Sequence, residues 1–283
     1  MLRRFQQVDV FGARPFAGNP LAVVLDAEGL STEEMQNVTR WTNLSETTFL
    51  LPATSSEADY RVRIFTLARE LPFAGHPTLG TCHAWLAAGG KPRQPGLIVQ
   101  ECGAGLVPVR HDDKGLAFAA PPLLRSGPVE DGFVKEIAAV LGIDRGEIVD
   151  AQWADNGPGW VAILLKDAAA VLALEPDLGR YTGEGSLDIG IVGPYPEGSP
   201  CAFEVRAIFS DDRRGTREDP VTGSLNASLA QWLLATGRAV APYVASQGTR
   251  LGRMGRPRID QDRDGTVWVG GAAFTCTRGE IEI

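Results

Sequence analysis

The feature that most constrains the fold of this chain is an internal repeat. The motif from His76 to Thr81 (HPTLGT) returns in altered form from Asp219 to Ser224 (DPVTGS), and each copy leads into an apolar run. An ungapped alignment of the two copies pairs Pro77 with Pro220, so the copies are separated by about half of the 283-residue chain. Similarity at a fixed separation is typical of a duplicated structural unit. The repeat therefore predicts two similar halves.

Two further pairs of segments support the duplication. The segment Val62–Phe65 (VRIF) resembles Val205–Phe209 (VRAIF), at the same separation apart from the extra alanine. Upstream, Gly18–Leu25 resembles Gly157–Leu164, at a slightly smaller separation. Chance can supply one such match, but three matches in the same order favour a duplicated fold.

A proline-rich stretch from Ala119 to Leu124 separates the two halves and is the natural boundary. We therefore expect an N-terminal lobe of residues 1–120 and a C-terminal lobe of residues 121–283, whose last strand is able to pack back on the N-terminal lobe. The 33 glycines and 19 prolines favour many short strands and tight turns over a helical bundle. The sequence predicts an α+β fold with two pseudo-symmetric lobes, each a curved, mostly antiparallel sheet or barrel around a central helix.

Local patterns in the first half predict individual elements. Segments rich in β-branched and aromatic residues are predicted to be strands: Phe5–Phe11, Leu21–Leu25, Tyr60–Phe65 and Leu97–Gln100. One helix is predicted after the repeated motif. A second is predicted from about Thr32 to Trp41, because Ser31 and Glu34 have the spacing of a capping box.

Composition and charge argue against several classes of function. The net charge is −8, with 27 basic and 35 acidic residues, so non-specific nucleic-acid binding has little electrostatic support. No apolar run reaches the roughly 18–20 residues of a membrane span, and Gln6 interrupts the short basic and apolar start of the chain where a signal peptide would continue. The four cysteines are widely spaced, without CxxC or a metal-ligand cluster. We expect a cytoplasmic protein with reduced cysteines, no metal, and neither nucleic acid nor a membrane as partner.

The repeated motif has the features of a small-anion site. Proline suits the first turn of a helix, and glycine allows a ligand to approach the backbone closely. A helix start also offers unpaired N–H groups and partial positive charge, which suit a carboxylate. Two such helix starts facing each other would form a pocket for a small anionic substrate, although helix caps in a duplicated fold would have the same sequence. In the ungapped alignment His76 occupies the position of Asp219, so the copies differ in chemistry.

Glu46 is the candidate acid/base. It lies in the segment NLSETTFLL, between a predicted helix and a predicted strand. Its own surroundings also fit an exposed turn residue. A role in proton transfer requires partial desolvation, which raises the pKa of a carboxyl group toward neutral pH.

Several segments resemble the phenazine-biosynthesis isomerase family (the PhzF-like proteins), which is related to the diaminopimelate epimerases. These segments are VDVF (Val8–Phe11), GNPLAV (Gly18–Val23), NLSETTF (Asn43–Phe49), ELPFAGHPTLG (Glu70–Gly80), VGPY (Val192–Tyr195) and EDPVTGS (Glu218–Ser224). They span nearly the whole chain.

The resemblance implies a diaminopimelate epimerase-like fold, no metal or organic cofactor, and usually a homodimer. The family's characterised reaction is the isomerisation of trans-2,3-dihydro-3-hydroxyanthranilate, an allylic proton shift on a small cyclic amino acid. In the family, the glutamate that matches Glu46 is the general acid/base. The residues expected to bind the substrate are Gly75, His76, Asp219, Gly223 and Ser224.

Two positions depart from the family pattern. Leu67 replaces a proline that is common after the Phe-Thr pair, and Leu225 stands where a small alanine is usual. A larger side chain next to Ser224 could reshape the pocket and change the substrate.

Three functions are compatible with these residues. The first is a proton shift in which one glutamate removes a proton from one carbon and returns it to another. The second is racemisation or epimerisation of a small amino acid by two thiols, one from each half; in the ungapped alignment Cys82 has Leu225 as its partner position, which disfavours a thiol pair. The third is a non-catalytic protein that binds a small acid on the same fold.

Overall fold

The computed structural model describes residues 1–183, 185–210 and 215–283. Its α-helices are α1 (Thr32–Thr42), α2 (Gly75–Ala87), α3 (Asp131–Leu141), α4 (Ala168–Ala173) and α5 (Gly223–Ala235). Its strands are β1 (Leu2–Val10), β2 (Asn19–Val24), β3 (Glu46–Leu51), β4 (Tyr60–Thr66), β5 (Glu70–Leu71), β6 (Leu97–Cys102), β7 (Gly105–Asp112), β8 (Gly115–Ala119), β9 (Arg125–Pro128), β10 (Ile148–Asp155), β11 (Val161–Leu165), β12 (Asp188–Pro194), β13 (Phe203–Ser210), β14 (Thr216–Asp219), β15 (Tyr243–Gln247), β16 (Arg258–Gln261), β17 (Val267–Gly271) and β18 (Ala273–Glu282).

The predicted elements of the first half are present within a few residues of their expected bounds. The predicted strands correspond to β1, β2, β4 and β6, and the predicted helix to α1. At the start of α1 the Ser31 side chain accepts a hydrogen bond from the Glu34 backbone N–H, and the Glu34 side chain accepts one from the Ser31 backbone N–H. The capping box is therefore confirmed. In the described residues, no helix combines the length and the apolar character that crossing a membrane requires.

The chain forms two structural units. The first contains residues 1–119 and 268–283, and the second contains residues 120–267. Strand β18 belongs to the first unit because it pairs along its length with β1, from Leu2 opposite Glu282 to Val10 opposite Ala273. The second unit thus ends at Val267, whereas the expected C-terminal lobe extends to residue 283. Residues 268–283 belong to the first unit instead.

The first unit is a curved sheet around a central helix. Its strands follow the order β18–β1–β2–β3–β4–β6–β7–β8–β17, with β5 also paired to β4. All pairings are antiparallel except β2 with β3 and β4 with β6. Strands β17 and β18 stand at opposite ends of this order but are adjacent in the chain, so the sheet curves round on itself.

Helix α2 lies inside this curve. It contacts β1, β2, β3, β6, β8 and β18, and most of its residues are buried on all sides. A helix that is apolar all round belongs in a protein core rather than on a surface. Gly80 is a close-packing point, because a Cβ there would lie 2.5 Å from Leu21 Cδ2 and 2.9 Å from Val10 Cγ2.

The second unit repeats this strand arrangement. Its order is β9–β10–β11–β12–β13–β15–β16, with β14 also paired to β13, and only β11 with β12 and β13 with β15 are parallel. One face of the sheet packs on α5 through Leu225, Leu229, Trp232 and Leu233. The other face packs on α3 through Val134, Ile137, Ala138 and Leu141. The predicted α+β fold with a central helix in each half is confirmed.

An ion pair recurs in both units and fixes how they correspond. In the first unit, Arg63 of β4 donates two hydrogen bonds to Glu70 of β5, at 2.7 and 2.6 Å. In the second, Arg206 of β13 donates two to Glu218 of β14, at 3.0 and 2.8 Å. The partners are 7 residues apart in the first pair and 12 in the second. The connection is thus five residues longer in the second unit.

This longer connection corrects the alignment of the repeated motif. Both central helices have 13 residues and begin at a glycine, so Gly75 corresponds to Gly223 and His76 to Ser224. The pairing of His76 with Asp219 was wrong, since Asp219 is the last residue of β14. Equivalent residues of the two units are therefore separated by more of the chain after the Arg–Glu connection than before it. An alignment that assumes one constant separation pairs the wrong residues after that connection.

Candidate active site

Glu46 is the first residue of β3 and lies close to the start of α2. Its side chain is 16% exposed, and its Oε2 atom lies 3.4 Å from Nε2 of His76. Leu44 and Ser45 connect Glu46 to Asn43, which ends α1 in the left-handed region at φ 55°. Glu46 therefore has the partial burial that a proton-transfer role requires, and it is not an exposed turn residue.

His76 is the second residue of α2 and is 4% exposed. Burial lowers the pKa of its imidazole from 6.5 to about 3, so the ring is neutral at physiological pH. Nδ1 of the ring lies 3.5 Å from Nδ2 of Asn19, a group that only donates hydrogen bonds. Nδ1 is then the acceptor and Nε2 carries the proton. The 3.4 Å approach of Nε2 to Glu46 Oε2 is therefore a contact between a neutral ring and a carboxylate rather than an ion pair.

The lowered pKa of His76 predicts how stability depends on pH. Between about pH 6.5 and 3 the unfolded chain binds a proton at this residue and the folded chain does not. Its contribution to stability is therefore complete above pH 6.5 and is lost progressively as the pH falls towards 3. We expect the urea midpoint of wild type to fall more between pH 7.5 and 4.5 than that of His76→Gln. Equal falls would contradict the neutral buried imidazole.

The start of α2 has the character expected of an anion site. Its N-cap residue, Ala74, makes no side-chain capping bond. Gly75 and His76 are both buried in the first turn. In the same way, no side-chain capping bond is made by Thr222, the N-cap residue of α5. The first turns of both central helices therefore keep backbone N–H groups that no capping side chain binds, which suits a carboxylate.

A buried amide organises the start of α5. Oε1 of Gln247 accepts hydrogen bonds from the Thr222 backbone N–H at 3.0 Å and from Asn226 Nδ2 at 2.7 Å. Nε2 of Gln247 donates to Thr222 Oγ1 at 3.0 Å and to the Asp219 carbonyl at 3.2 Å. Thr222 Oγ1 donates in turn to a carboxylate oxygen of Asp219 at 2.6 Å. Asp219 is thereby held beside the first turn of the helix.

Ser224 is held by the loop between β10 and β11. Its Oγ accepts a hydrogen bond from Trp160 Nε1 at 3.1 Å, and its carbonyl accepts one from Asn156 Nδ2 at 2.8 Å. The next residue, Leu225, is fully buried and packs against Gly190, where a Cβ would lie only 2.1 Å from Leu225 Cδ1. The large side chain at 225 is thus accommodated by a glycine across the core.

The structure groups the expected site residues by unit. Glu46, Gly75 and His76 meet in the first unit, and Asp219, Gly223 and Ser224 lie together in the second. Sequence reasoning missed several polar side chains that hold them: Asn19, Asn156, Asn226 and Gln247. Asn19 stands within the segment GNPLAV, which the family resemblance had already singled out. The others gave no signal in the sequence.

Cys82 is a poor candidate for a catalytic base. It is fully buried in α2, and burial raises the pKa of its thiol to about 12. The corrected alignment also gives it Ala230 rather than Leu225 as its counterpart. Neither the ionisation of Cys82 nor its place in the repeat supports a pair of catalytic thiols.

Comparison with known proteins shows the family. Residues 8–279 match the family described as "Phenazine biosynthesis-like protein". The chain is 34% identical over 292 residues to "Antisense-enhancing sequence 1" of Schizosaccharomyces pombe, covering 98% of this chain and 97% of the relative. It is 38% identical over 261 residues to a trans-2,3-dihydro-3-hydroxyanthranilate isomerase of Pseudomonas aeruginosa, covering 90% and 89%.

Solved structures agree with this result. A predicted epimerase from Pseudomonas aeruginosa is 28% identical, with a TM-score of 0.77 over 99% of each chain. The fold, the family match and the isomerase-named relatives are consistent with one another. The chain therefore belongs to the phenazine biosynthesis-like (PhzF) family, and it is an isomerase.

Proposed function

We propose that this isomerase catalyses a proton shift on a small cyclic or amino-acid-like carboxylate, with Glu46 as the acid/base. The observation that carries the proposal is the contact at the start of α2, where Glu46 Oε2 lies 3.4 Å from Nε2 of the neutral, buried His76. Glu46 is partly exposed and so remains accessible to a ligand.

In the proposed reaction a single carboxyl group, that of Glu46, transfers the proton at both substrate carbons. The ionised Glu46 removes a proton from a substrate carbon, and the electron pair of that C–H bond moves into the adjacent π system. The resulting carboxylic acid then gives the proton to a second carbon of the same system, so no net proton is gained or lost. His76 places its ring 3.4 Å from the carboxylate of Glu46, and because the ring is neutral it does not hold Glu46 as a permanent ion pair.

The remaining site residues suit the polar groups of such a substrate. The N–H groups of the first turns, at Gly75 and at Gly223 and Ser224, match a carboxylate. The carboxylate of Asp219 matches an ammonium or hydroxyl group. We propose these residues as substrate-binding residues.

The relatives supply a first substrate for the test. Two relatives are named trans-2,3-dihydro-3-hydroxyanthranilate isomerase. Incubation of the wild-type protein with this compound in D₂O, followed by NMR, is expected to show a shifted double bond and deuterium at the carbon that gains the proton. In parallel, small L-amino acids including L-proline are tested for inversion.

Each outcome separates the candidate functions. Inversion of an amino acid without a double-bond shift would replace the proposal by the epimerase alternative. Binding of these acids without any exchange would favour a non-catalytic binding protein.

A further inference from the structure

The duplication gives Glu46 a carboxylate counterpart in the second unit. Glu46 lies opposite Thr66 in the antiparallel pair of β3 and β4, and Asp188 lies opposite Phe209 in the pair of β12 and β13. The two Arg–Glu ion pairs align β4 with β13 by matching their arginines, which makes Thr66 equivalent to Phe209. Asp188 is therefore the residue of the second unit that occupies the position of Glu46, and each is the first residue of its strand.

The two carboxylates also share a face of their sheets. Side chains alternate along a strand, so Asp188 projects to the same side as Gly190, against which Leu225 of α5 packs. In the first unit, Glu46 projects to the side of Thr48, whose hydroxyl accepts a hydrogen bond from Thr81 of α2 at 2.8 Å. Each carboxylate thus lies on the face that the central helix covers.

Asp188 lies beside the loop that holds Ser224. Its Oδ2 atom is 4.0 Å from the place where a Cβ would stand on Gly159, and the carboxylate of Asp155 is close enough to interact with it. Oδ1 of Asp155 accepts hydrogen bonds from the Gly157 and Gly159 N–H groups, at 2.7 and 2.8 Å. Asp155 is therefore fixed in place, and Asp188 is left half-buried next to a like charge.

Within the described residues, few other ionisable groups face Asp188. Phe209 faces it from β13, Leu225 packs against its strand from α5, and Gly159 approaches from the loop. Arg217 of β14 lies in the same row beyond Phe209, two strands away or roughly 10 Å. Burial and then the negative charge of Asp155 raise the pKa of Asp188 to about 6. Such a group is mostly ionised at pH 7–8 and still accepts a proton readily.

We propose that Asp188 is a second acid/base residue of this isomerase, acting on an O–H or N–H group of substrate held at the start of α5. The ionised carboxylate takes the proton of that group, so the substrate O–H or N–H bond breaks and the O–H bond of the carboxylic acid forms. The proton returns to the same substrate atom as the product forms, so the product is an isomer of the substrate and Asp188 ends each cycle ionised. This assignment rests on the proposed function, in which Glu46 acts on the carbon-bound proton.

The first test measures Asp188 without turnover. The Glu46→Gln protein is labelled with ¹³C at the aspartate carboxyl groups, and the Asp188 signal is identified by its absence from Glu46→Gln/Asp188→Asn. In the free protein we expect its titration midpoint near pH 6. Saturation with trans-2,3-dihydro-3-hydroxyanthranilate is expected to move this midpoint. A midpoint that the compound leaves unchanged, although the compound binds, would overturn the proposal.

The second test compares pH profiles of turnover. Asp188→Asn is expected to lower kcat about 100-fold and to remove the fall in activity below about pH 6, because the amide cannot take a proton. Asp155→Asn keeps the Oδ1 acceptor for the loop but loses the negative charge, so its profile is expected to fall at lower pH than wild type. Asp131→Asn, whose side chain is 60% exposed in α3, is the control for loss of one charge from the second unit.

The outcomes separate this proposal from the proposed function. Absence of turnover and of deuterium exchange in wild type with every acid tested contradicts the proposed function, and the NMR titration still decides whether Asp188 responds to ligand. Turnover in wild type together with an Asp188→Asn variant that keeps its kcat within threefold, and keeps the wild-type profile, would overturn the role of Asp188 alone. If Asp188 had only a structural role, Asp188→Asn would lower the free energy of unfolding, and the pH profile of Asp155→Asn would coincide with that of wild type.

Discussion

Replacement of Glu46 by glutamine is expected to lower turnover of trans-2,3-dihydro-3-hydroxyanthranilate by about 10³-fold or more. The amide matches the carboxylate in size and leaves the packing against His76 unchanged, but it cannot accept a proton. General acid/base groups contribute about 10²–10⁴-fold to rate, and a group that acts in both proton transfers belongs at the upper end of that range. The measurement is kcat by NMR, together with deuterium incorporation in D₂O.

The control for this variant comes from the same unit. Glu70→Gln removes a glutamate that is 38% exposed and lies outside the expected site, and turnover is expected to stay close to wild type. Urea unfolding of both variants checks that each is folded. If Glu46→Gln still incorporates solvent deuterium into the substrate at a rate near that of wild type, another residue takes the proton and the role of Glu46 fails.

The second large effect concerns stability and uses the duplicated ion pair. Arg206 and Glu218 are 4% and 10% exposed, whereas Arg63 and Glu70 are 26% and 38% exposed. Arg206 also donates to the carbonyls of Val171 and Leu174, at 3.2 and 2.8 Å. Removing one partner of a buried pair leaves the other charge uncompensated and costs about 3–5 kcal/mol, whereas exposed pairs contribute roughly 0–1 kcal/mol.

The matched variants are Glu218→Gln and Glu70→Gln. We expect Glu218→Gln to lower the free energy of unfolding by about 3–5 kcal/mol and Glu70→Gln by less than about 1 kcal/mol. Urea unfolding followed by circular dichroism at pH 7 gives both values. Because the two substitutions are chemically identical, similar losses would show that burial does not determine the cost of breaking this pair.

Much of the fold was accessible from local sequence. The two residues of the capping box, Ser31 and Glu34, are close together in the chain, and helix starts depend on such short-range hydrogen bonds. The duplication was also visible, since it leaves short similar strings. The exact correspondence of residues between the two halves was not visible in the sequence. The connection after Arg206 is longer than the one after Arg63, so an ungapped comparison pairs His76 with Asp219.

The candidate site was accessible only in part. Glu46 and His76 are distant in the chain, and their contact depends on how α2 lies inside the curved sheet, which local patterns do not specify. The amide of Gln247 is 25 residues from Thr222, yet it holds the start of α5. Buried polar side chains of this kind follow from tertiary packing, and an isolated glutamine near a strand end has no sequence pattern that reveals it.

The pairing of β1 with β18 has a consequence for the order in which the protein folds. Residues 120–267 form a continuous unit, whereas the sheet of the other unit lacks its edge partner until residues 273–282 have been synthesised. At about 5–20 residues per second, the ribosome needs roughly 7–30 s to make the intervening segment. During that interval β1 has an unpaired edge, a hazard for intermolecular strand pairing. The nascent first half of this enzyme is therefore the stage at which chaperone protection has most to offer.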